Sequence, residues 1–309
     1  MRNSIQKRSR KNKYIAGLPL LALCLPVIIY FIMFHYLPIF GIVIAFKDFN
    51  YIDGILGSPW VGLDNFKFFF MSNDALRVIG NTVGYSLWFN LLSIVASITV
   101  AILLYEVNSK KCLKYFQTTM AIPSMISWVI VAYIVYSVFN YESGVANTLV
   151  ANFGLDKIKW YSEPEYWPWI LSFVRIWQGI GMSCVLYYAA LMGIDESLFE
   201  AAKLDGANRL KQIWHISLPA ITPVICVMAI LSMADIMSGN IGIFYQVPRD
   251  SVTLYPVTDI INTYILRGLK TGSIGVSSAV GLFQNIAGCI MLIATNTLVK
   301  KINPENAMF

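Results

Sequence analysis

Side chains able to do acid–base or metal chemistry are few and far apart in this sequence. The two histidines are His35, inside an apolar run, and His215, in a basic loop. The five cysteines, Cys24, Cys112, Cys184, Cys226 and Cys289, have no zinc or redox spacing. Four of them fall in apolar runs, where a thiol serves as a small hydrophobe. No glycine-rich phosphate loop ending in Gly-Lys-Ser/Thr occurs, so the sequence offers no place for nucleotide hydrolysis. No catalytic residue, metal or cofactor is expected. Two ionisable residues do stand out, because they sit in apolar surroundings: Arg175 and Asp235. Such groups are costly in hydrocarbon and are usually functional. Guanidinium and carboxylate both bind hydroxyls, and Arg pairs bidentately with a carboxylate such as a uronate. Two readings stay open, an Arg175–Asp235 ion pair that fixes a bundle, or contact with a bound solute. Trp177, Gly179, Ser232 and Gly239 are further candidates for the same path. Helix packing is their alternative role, since small residues let membrane helices approach closely.

A second constellation is a surface and not a reaction centre. Residues 195–219 read Asp-Glu-Ser-Leu-Phe-Glu-Ala-Ala-Lys-Leu-Asp-Gly-Ala-Asn-Arg-Leu-Lys-Gln-Ile-Trp-His-Ile-Ser-Leu-Pro. Ser197 and Glu200 have the Ser-x-x-Glu spacing of a capping box, which opens a helix by satisfying two orphan backbone donors. Leu198 to Leu204 favour helix, and Gly206 permits a left-handed turn or a close backbone approach. A second helical stretch carrying Leu210 and Ile213 leads to Pro219. The expected product is a short amphipathic helix, hinged at Gly206 to a following span, with small Ala201 and Ala202 fitted for docking into another protein's groove. For Glu200 an ion pair with a partner protein and a purely local capping role both remain open.

These groups must be positioned in a membrane. Hydrophobic residues make up 57% of the 309 and charged residues 13%, with mean hydropathy +0.62. Soluble domains carry roughly 45–50% apolar and about 25% charged residues. The net charge of +6 is explained by basic cytoplasmic loops and not by nucleic acid. Spans need about 20 mostly apolar residues, and six are expected, at 15–37, 81–105, 119–140, 167–192, 217–238 and 275–299. The N-terminal charges followed by Leu21-Ala22-Leu23-Cys24 look like a secretory or lipoprotein start. Leu23 is too large for that cleavage, and the apolar run continues through Phe34, so an uncleaved first helix is expected. Residues 39–46 are apolar but too short to span, and should lie in the interface or against the bundle. With the N-terminus in the cytoplasm, inside segments hold fourteen Lys and Arg against eight outside. That bias places both termini and the 193–216 loop in the cytoplasm of a bacterial cell membrane. Trp60, Phe66, Phe68, Phe69 and Phe70, then Trp160, Tyr161, Tyr166, Trp167 and Trp169, crowd the two outer loops. Interfacial anchoring is their default reading, and sugar stacking at an outer vestibule is the sharper one.

Glu200-Ala201-Ala202, three residues, Gly206, nine residues, then Ile216-x-Leu218-Pro219 resembles the EAA signature of permeases in binding-protein-dependent ABC importers, and every signature position matches. The resemblance runs along nearly the whole chain. Gly57-Ser58-Pro59, Trp60-Val61-Gly62-Leu63-Asp64-Asn65-Phe66, Asn81-Thr82, Ala121-Ile122-Pro123, Ile126-Ser127-Trp128 and Gly193-Ile194-Asp195 are similar to carbohydrate-importer permeases, nearest those for oligo- and polysaccharides. It implies an all-α integral membrane protein, a six-helix ABC importer permease bundle with a cytoplasmic EAA coupling helix. The division is a basic N-terminus (1–14), a first membrane helix with interfacial segment (15–46), an outer loop (47–80), a permease core (81–299) containing the EAA loop (193–216), and a tail (300–309). Implied partners are a second permease around a shared path, two ATPase subunits, an extracytoplasmic solute-binding protein and membrane lipid. Glu200, Ala201, Ala202, Asp205, Gly206, Leu218 and Pro219 would couple ATPase closure to the spans. In such sugar permeases, residues lining the sugar site lie about as far from the EAA loop as Arg175 and Asp235 do. This sequence departs there from the neutral, Asn-like residues. Alternatives are a permease for a non-sugar solute, or a membrane-embedded enzyme or scaffold.

Overall fold

The computed structural model describes residues 22–302, so the basic N-terminus and the tail after 302 lie outside the described residues. Long apolar helices dominate: α1 (Ala22–Phe46), α2 (Asp74–Tyr105), α5 (Trp167–Leu191), α7 (Leu218–Ala234) and α9 (Ile274–Ile302). A sixth crossing is split into α3 (Lys110–Ala121) and α4 (Trp128–Phe139). Of the shorter helices, α6 (Glu196–Leu204) and α8 (Ile261–Lys270) matter most to the sites below. The end carrying α6 is called proximal below, and the opposite end distal.

Helix is dictated by solvent. Backbone amides in hydrocarbon must be satisfied within the segment, and side chains facing lipid stay apolar. Phe173, Met182, Leu103 and Ile290 are all exposed and apolar on their helices. Where helices meet, three buried clusters form. The distal cluster joins Phe89, Val131, Trp167, Leu171, Val174 and Ile243. A second joins Phe69, Val78, Ile236, Ile261 and Val280. The proximal cluster joins Ala101, Leu104, Cys184, Leu191 and Ile221.

Several expected boundaries move. Residues 39–46 lie against the bundle, packed on α9, and are not a separate piece. They continue α1 as a 3₁₀ stretch, Leu37–Phe46, after a π turn at Ile32–Tyr36. Pro38 removes an amide donor there, and the chain stays helical by changing its hydrogen-bond register. Helix α2 begins at Asp74, not at residue 81, because Asp74 and Arg77 pair at 2.7 Å on its first turn. The third span is not one straight rod over 119–140. Its halves are bent by 98°. Pro123 and the 3₁₀ turn Ile122–Met125 end α3, and the Ser127 hydroxyl accepts from the Ile130 amide to start α4. Helix α5 braces the bend: Gln178 donates to the Ile126 carbonyl at 3.3 Å. Gly181 lets the Met120 carbonyl pass where any Cβ would overlap it. The fifth span ends at Ala234, short of residue 238.

Two of the outer-loop aromatics do not lie at an interface. Trp167 and Phe69 are fully buried, and the Trp167 indole donates to the Trp160 carbonyl at 2.7 Å. The distal segment 47–73 is pinned to the bundle. Lys47 is buried and donates to the carbonyls of Ile55 and Leu56 at 2.8 Å, while Asn65 donates to those of Ala45 and Lys47.

Candidate functional site

The proximal loop is built by its caps. The expected Ser197–Glu200 capping box does not form. Asp195 caps α6 instead, accepting from the Ser197 amide at 2.9 Å. A carboxylate at a helix N-terminus outcompetes the hydroxyl two residues on, because it also meets the positive end of the helix dipole. That amide holds the Asp195 carboxyl below the usual carboxylate range. At the other end Ala207 donates to the Ala202 carbonyl at 2.8 Å and Gly206 to the Lys203 carbonyl at 3.1 Å. Asp205 is the C-cap and Gly206 follows at φ +73°. This is a Schellman closure, which needs the left-handed conformation that glycine adopts without strain.

Freed from capping, Glu200 makes no hydrogen bond or ion pair among the described residues. It is exposed, as is Ala201, while Ala202 is half-buried. Glu200 lines a proximal cavity of about 440 Å³ together with Glu106, Lys110, Lys203 and Arg209. Arg209 pairs with Glu106 at 3.3 Å, tying the loop to the end of α2. Asn208 caps the next turn by accepting from the Lys211 amide at 2.9 Å. The chain then runs through a π turn, Ile213–Ser217, directly into α7. Leu218 packs on the proximal cluster, and Pro219 occupies the first turn of α7, where its missing donor costs nothing.

A second site lies in the distal half. Arg175 is eight residues into α5, about 12 Å from its distal end at 1.5 Å per residue. Asp235 is the C-cap of α7. Both line one cavity of about 520 Å³, with Ser232 and Gly239 in the same wall. Arg175 and Asp235 form no ion pair with each other among the described residues, and the Arg175 guanidinium has no carboxylate partner there. Trp177 and Gly179 lie outside this lining. Trp177 packs on the distal cluster, and Gly179 leaves room for the guanidinium, whose nitrogen would sit 3.4 Å from an added Cβ.

Other lining residues are Ser86, Phe89 and Asn90 of α2, then Ser238, Asn240, Ile241 and Phe244. Phe89 and Phe244 stack with centroids 5.8 Å apart and planes at 21°. The sequence carried a signal for them. Ser86 and Asn90 are four apart, on one helical face of an apolar run, and residues 238–242 read Ser-Gly-Asn-Ile-Gly directly after a span.

A third polar cluster centres on Asp259. Asp259 is fully buried and takes Arg77 at 3.2 Å and Arg267 at 2.7 Å, with the Thr263 hydroxyl donating at 2.8 Å. It locks the distal ends of α2 and α8 together.

Spans on all sides, an amphipathic loop at one end and an open polar cavity toward the other define the membrane component of a solute transport system. Residues 93–246 match the family described as "Binding-protein-dependent transport system inner membrane component". The polygalacturonan/rhamnogalacturonan transport system permease protein YteP of Bacillus subtilis is 37% identical over 304 residues, covering 97% of this chain and 94% of that one. Protein LplB of the same organism is 36% identical, covering 92% and 89%. A crystal structure of a bacterial ABC transporter involved in the import of the acidic polysaccharide alginate contains a chain that superposes with TM-score 0.87. Its identity is 31%, with 94% of this chain and 98% of that one covered. The chain belongs to the family of binding-protein-dependent inner membrane permeases. It is a transport subunit of an ABC importer and not an enzyme.

Proposed function

We propose that this permease passes acidic oligosaccharides, fragments of a uronate-containing polysaccharide, through the distal cavity. The carrying observation is the Arg175 guanidinium, without a carboxylate partner among the described residues, in a cavity that also offers stacked phenyl rings, hydroxyls and amides. A half-buried guanidinium with free in-plane donors takes a carboxylate bidentately. Phenyl faces suit the C–H faces of sugar rings. Asp235, Asn90 and Asn240 suit sugar hydroxyls. Two related proteins support the acidic class by name, one for polygalacturonan/rhamnogalacturonan and one for alginate. A neutral solute would be served by hydroxyls and amides alone and would leave a charged group desolvated without return.

In this reading α6 docks on an ATPase subunit through Glu200, Ala201, Ala202, Asp205 and Gly206, and Leu218 and Pro219 pass its movement to α7. The partners are a second permease, two ATPase subunits and an extracytoplasmic solute-binding protein. A related alginate transporter is described in complex with an alginate pentasaccharide-bound periplasmic protein. In this reading the proximal end and both termini face the cytoplasm, which the fourteen-to-eight bias of Lys and Arg along the sequence supports. The test is uptake by the assembled complex of galacturonate oligosaccharides against neutral oligosaccharides of equal length. Arg175→Gln removes a charge-assisted contact worth about 1.5–3 kcal/mol, so acidic uptake should fall about 10- to 100-fold at normal membrane levels. Equal uptake of both solutes by the wild type, or an unchanged Arg175→Gln variant, refutes the acidic reading.

A further inference from the structure

The turn that closes the cavity around Arg175 has a second face. Phe244 lines that cavity, and the next residue, Tyr245, lines another of about 210 Å³, with Tyr133, Arg249 and Asp250. One π turn, Gly242–Gln246, therefore separates two cavities. The second lies nearer the distal end, since Tyr136, which packs on Arg249, also packs on Tyr161, and Tyr161 packs on Trp167 at the start of α5, eight residues before Arg175.

Its chemistry is that of a carboxylate site. The Arg249 guanidinium lies 4.1 Å from the Tyr136 ring centroid. Stacking occupies a face of the guanidinium and leaves its edge donors, the ones that grip a carboxylate, free. No carboxylate pairs with Arg249 among the described residues. Lys270 donates to the Tyr245 hydroxyl and lies 4.6 Å from the centre of its ring, bringing a second positive charge to the same wall. Asp250 accepts from the Tyr255 hydroxyl at 3.0 Å, and its remaining lone pairs can accept from sugar hydroxyls. Arg249 and Asp250 also both adopt left-handed backbone conformations, φ +58° and +52°. No other described non-glycine residue does so. Such strain persists only where surroundings over-determine it, and it gathers at functional positions. Here the surroundings are the amides of Arg249 and Asp250, which donate to the Gln246 and Tyr245 carbonyls at 3.1 and 3.2 Å. The strained pair sits where both side chains reach the cavity. At about 210 Å³ it is smaller than the roughly 300–1,000 Å³ of full ligand pockets, so it holds one sugar unit and not a chain.

We infer that Arg249, with Tyr133 and Tyr245, forms an outer subsite that receives a uronate unit before it passes the π turn to Arg175. The inference rests on the acidic-saccharide reading. Calorimetry of trigalacturonate and galactotriose on the assembled complex in nanodiscs, without binding protein, tests it. Wild type should prefer trigalacturonate. Arg249→Gln should weaken trigalacturonate about tenfold, the loss expected of one charge-assisted contact, leave galactotriose unchanged and retain the partner permease. Arg249→Lys should recover little, because an ammonium presents no planar fork. If Arg249→Gln binds like wild type while Arg175→Gln does not, the acidic reading stands and the outer subsite falls. If wild type shows no acidic preference, both fall. If Arg249→Gln loses the partner permease, Arg249 is an interface residue and the inference is overturned.

Discussion

Gly206 separates a backbone requirement from a steric one. It sits at φ +73°, and a Cβ placed on it meets nothing within 4 Å among the described residues. A side chain there costs conformation alone: about 1–2 kcal/mol for an L-residue in the left-handed region, less for Asn, more for a β-branched residue. That range shifts the population of the closed loop about 5- to 30-fold, with the Ala207-to-Ala202 and Gly206-to-Lys203 hydrogen bonds at stake. If α6 couples ATPase to permease, solute-stimulated ATP hydrolysis by the assembled complex should fall in the order Gly206→Asn, Gly206→Ala, Gly206→Val, at equal membrane levels. Full stimulation in all three would show that the loop does not couple. Equal failure of Gly206→Asn and Gly206→Val would refute the conformational argument, because it would mean that a partner, and not φ, excludes the side chain.

Two further outcomes concern the frame. Asp259→Asn leaves the Arg77 and Arg267 guanidinia facing each other, and should destabilise the protein toward the lower end of about 3–5 kcal/mol, since both keep about a third of their exposure; thermal unfolding in nanodiscs measures it, and an unchanged midpoint would deny the cluster a stabilising role. Gly181→Ala places a methyl on the Met120 carbonyl and should lose about 1–3 kcal/mol or more through overpacking, read as reduced yield and melting temperature, whereas wild-type values would mean that α3 does not approach α5 so closely.

What the sequence revealed depended on range. Helix α5 was legible almost to the residue, expected at 167–192 and found at Trp167–Leu191, because 25 apolar-rich residues begin with Pro168 at a permitted position. Gly206 was legible because a helix end is a local event. The N-cap misled because Asp195 and Ser197, two residues apart, both qualify. The bend between α3 and α4 was not legible, since Gly181 and Gln178, which make it possible, lie more than fifty residues downstream. Arg175 and Asp235 announced themselves as charges in apolar runs. Arg249 did not, because in a loop sequence a stacked arginine looks like any other.

The cavity exists because α7 stops early. Its wall, residues 235–241, is irregular backbone at membrane depth, tolerated only where it is buried in protein or borders a water-filled space. From behind, Asn262 of α8 donates to the carbonyls of Ser238 and Gly239, and Gln284 of α9 donates to that of Met237 at 2.9 Å. Those bonds satisfy the back of the segment and leave its front for Asp235, Ser238 and Asn240. The proximal end of the same helix continues without a break through the Ile213–Ser217 turn to Arg209 and the α6 loop. If α6 couples an ATPase to transport, as proposed, its displacement needs no chain of side-chain contacts to reach the cavity. One helix links the two, with Arg209–Glu106 as the tether to α2 at one end and Ser232 and Asp235 in the cavity wall at the other.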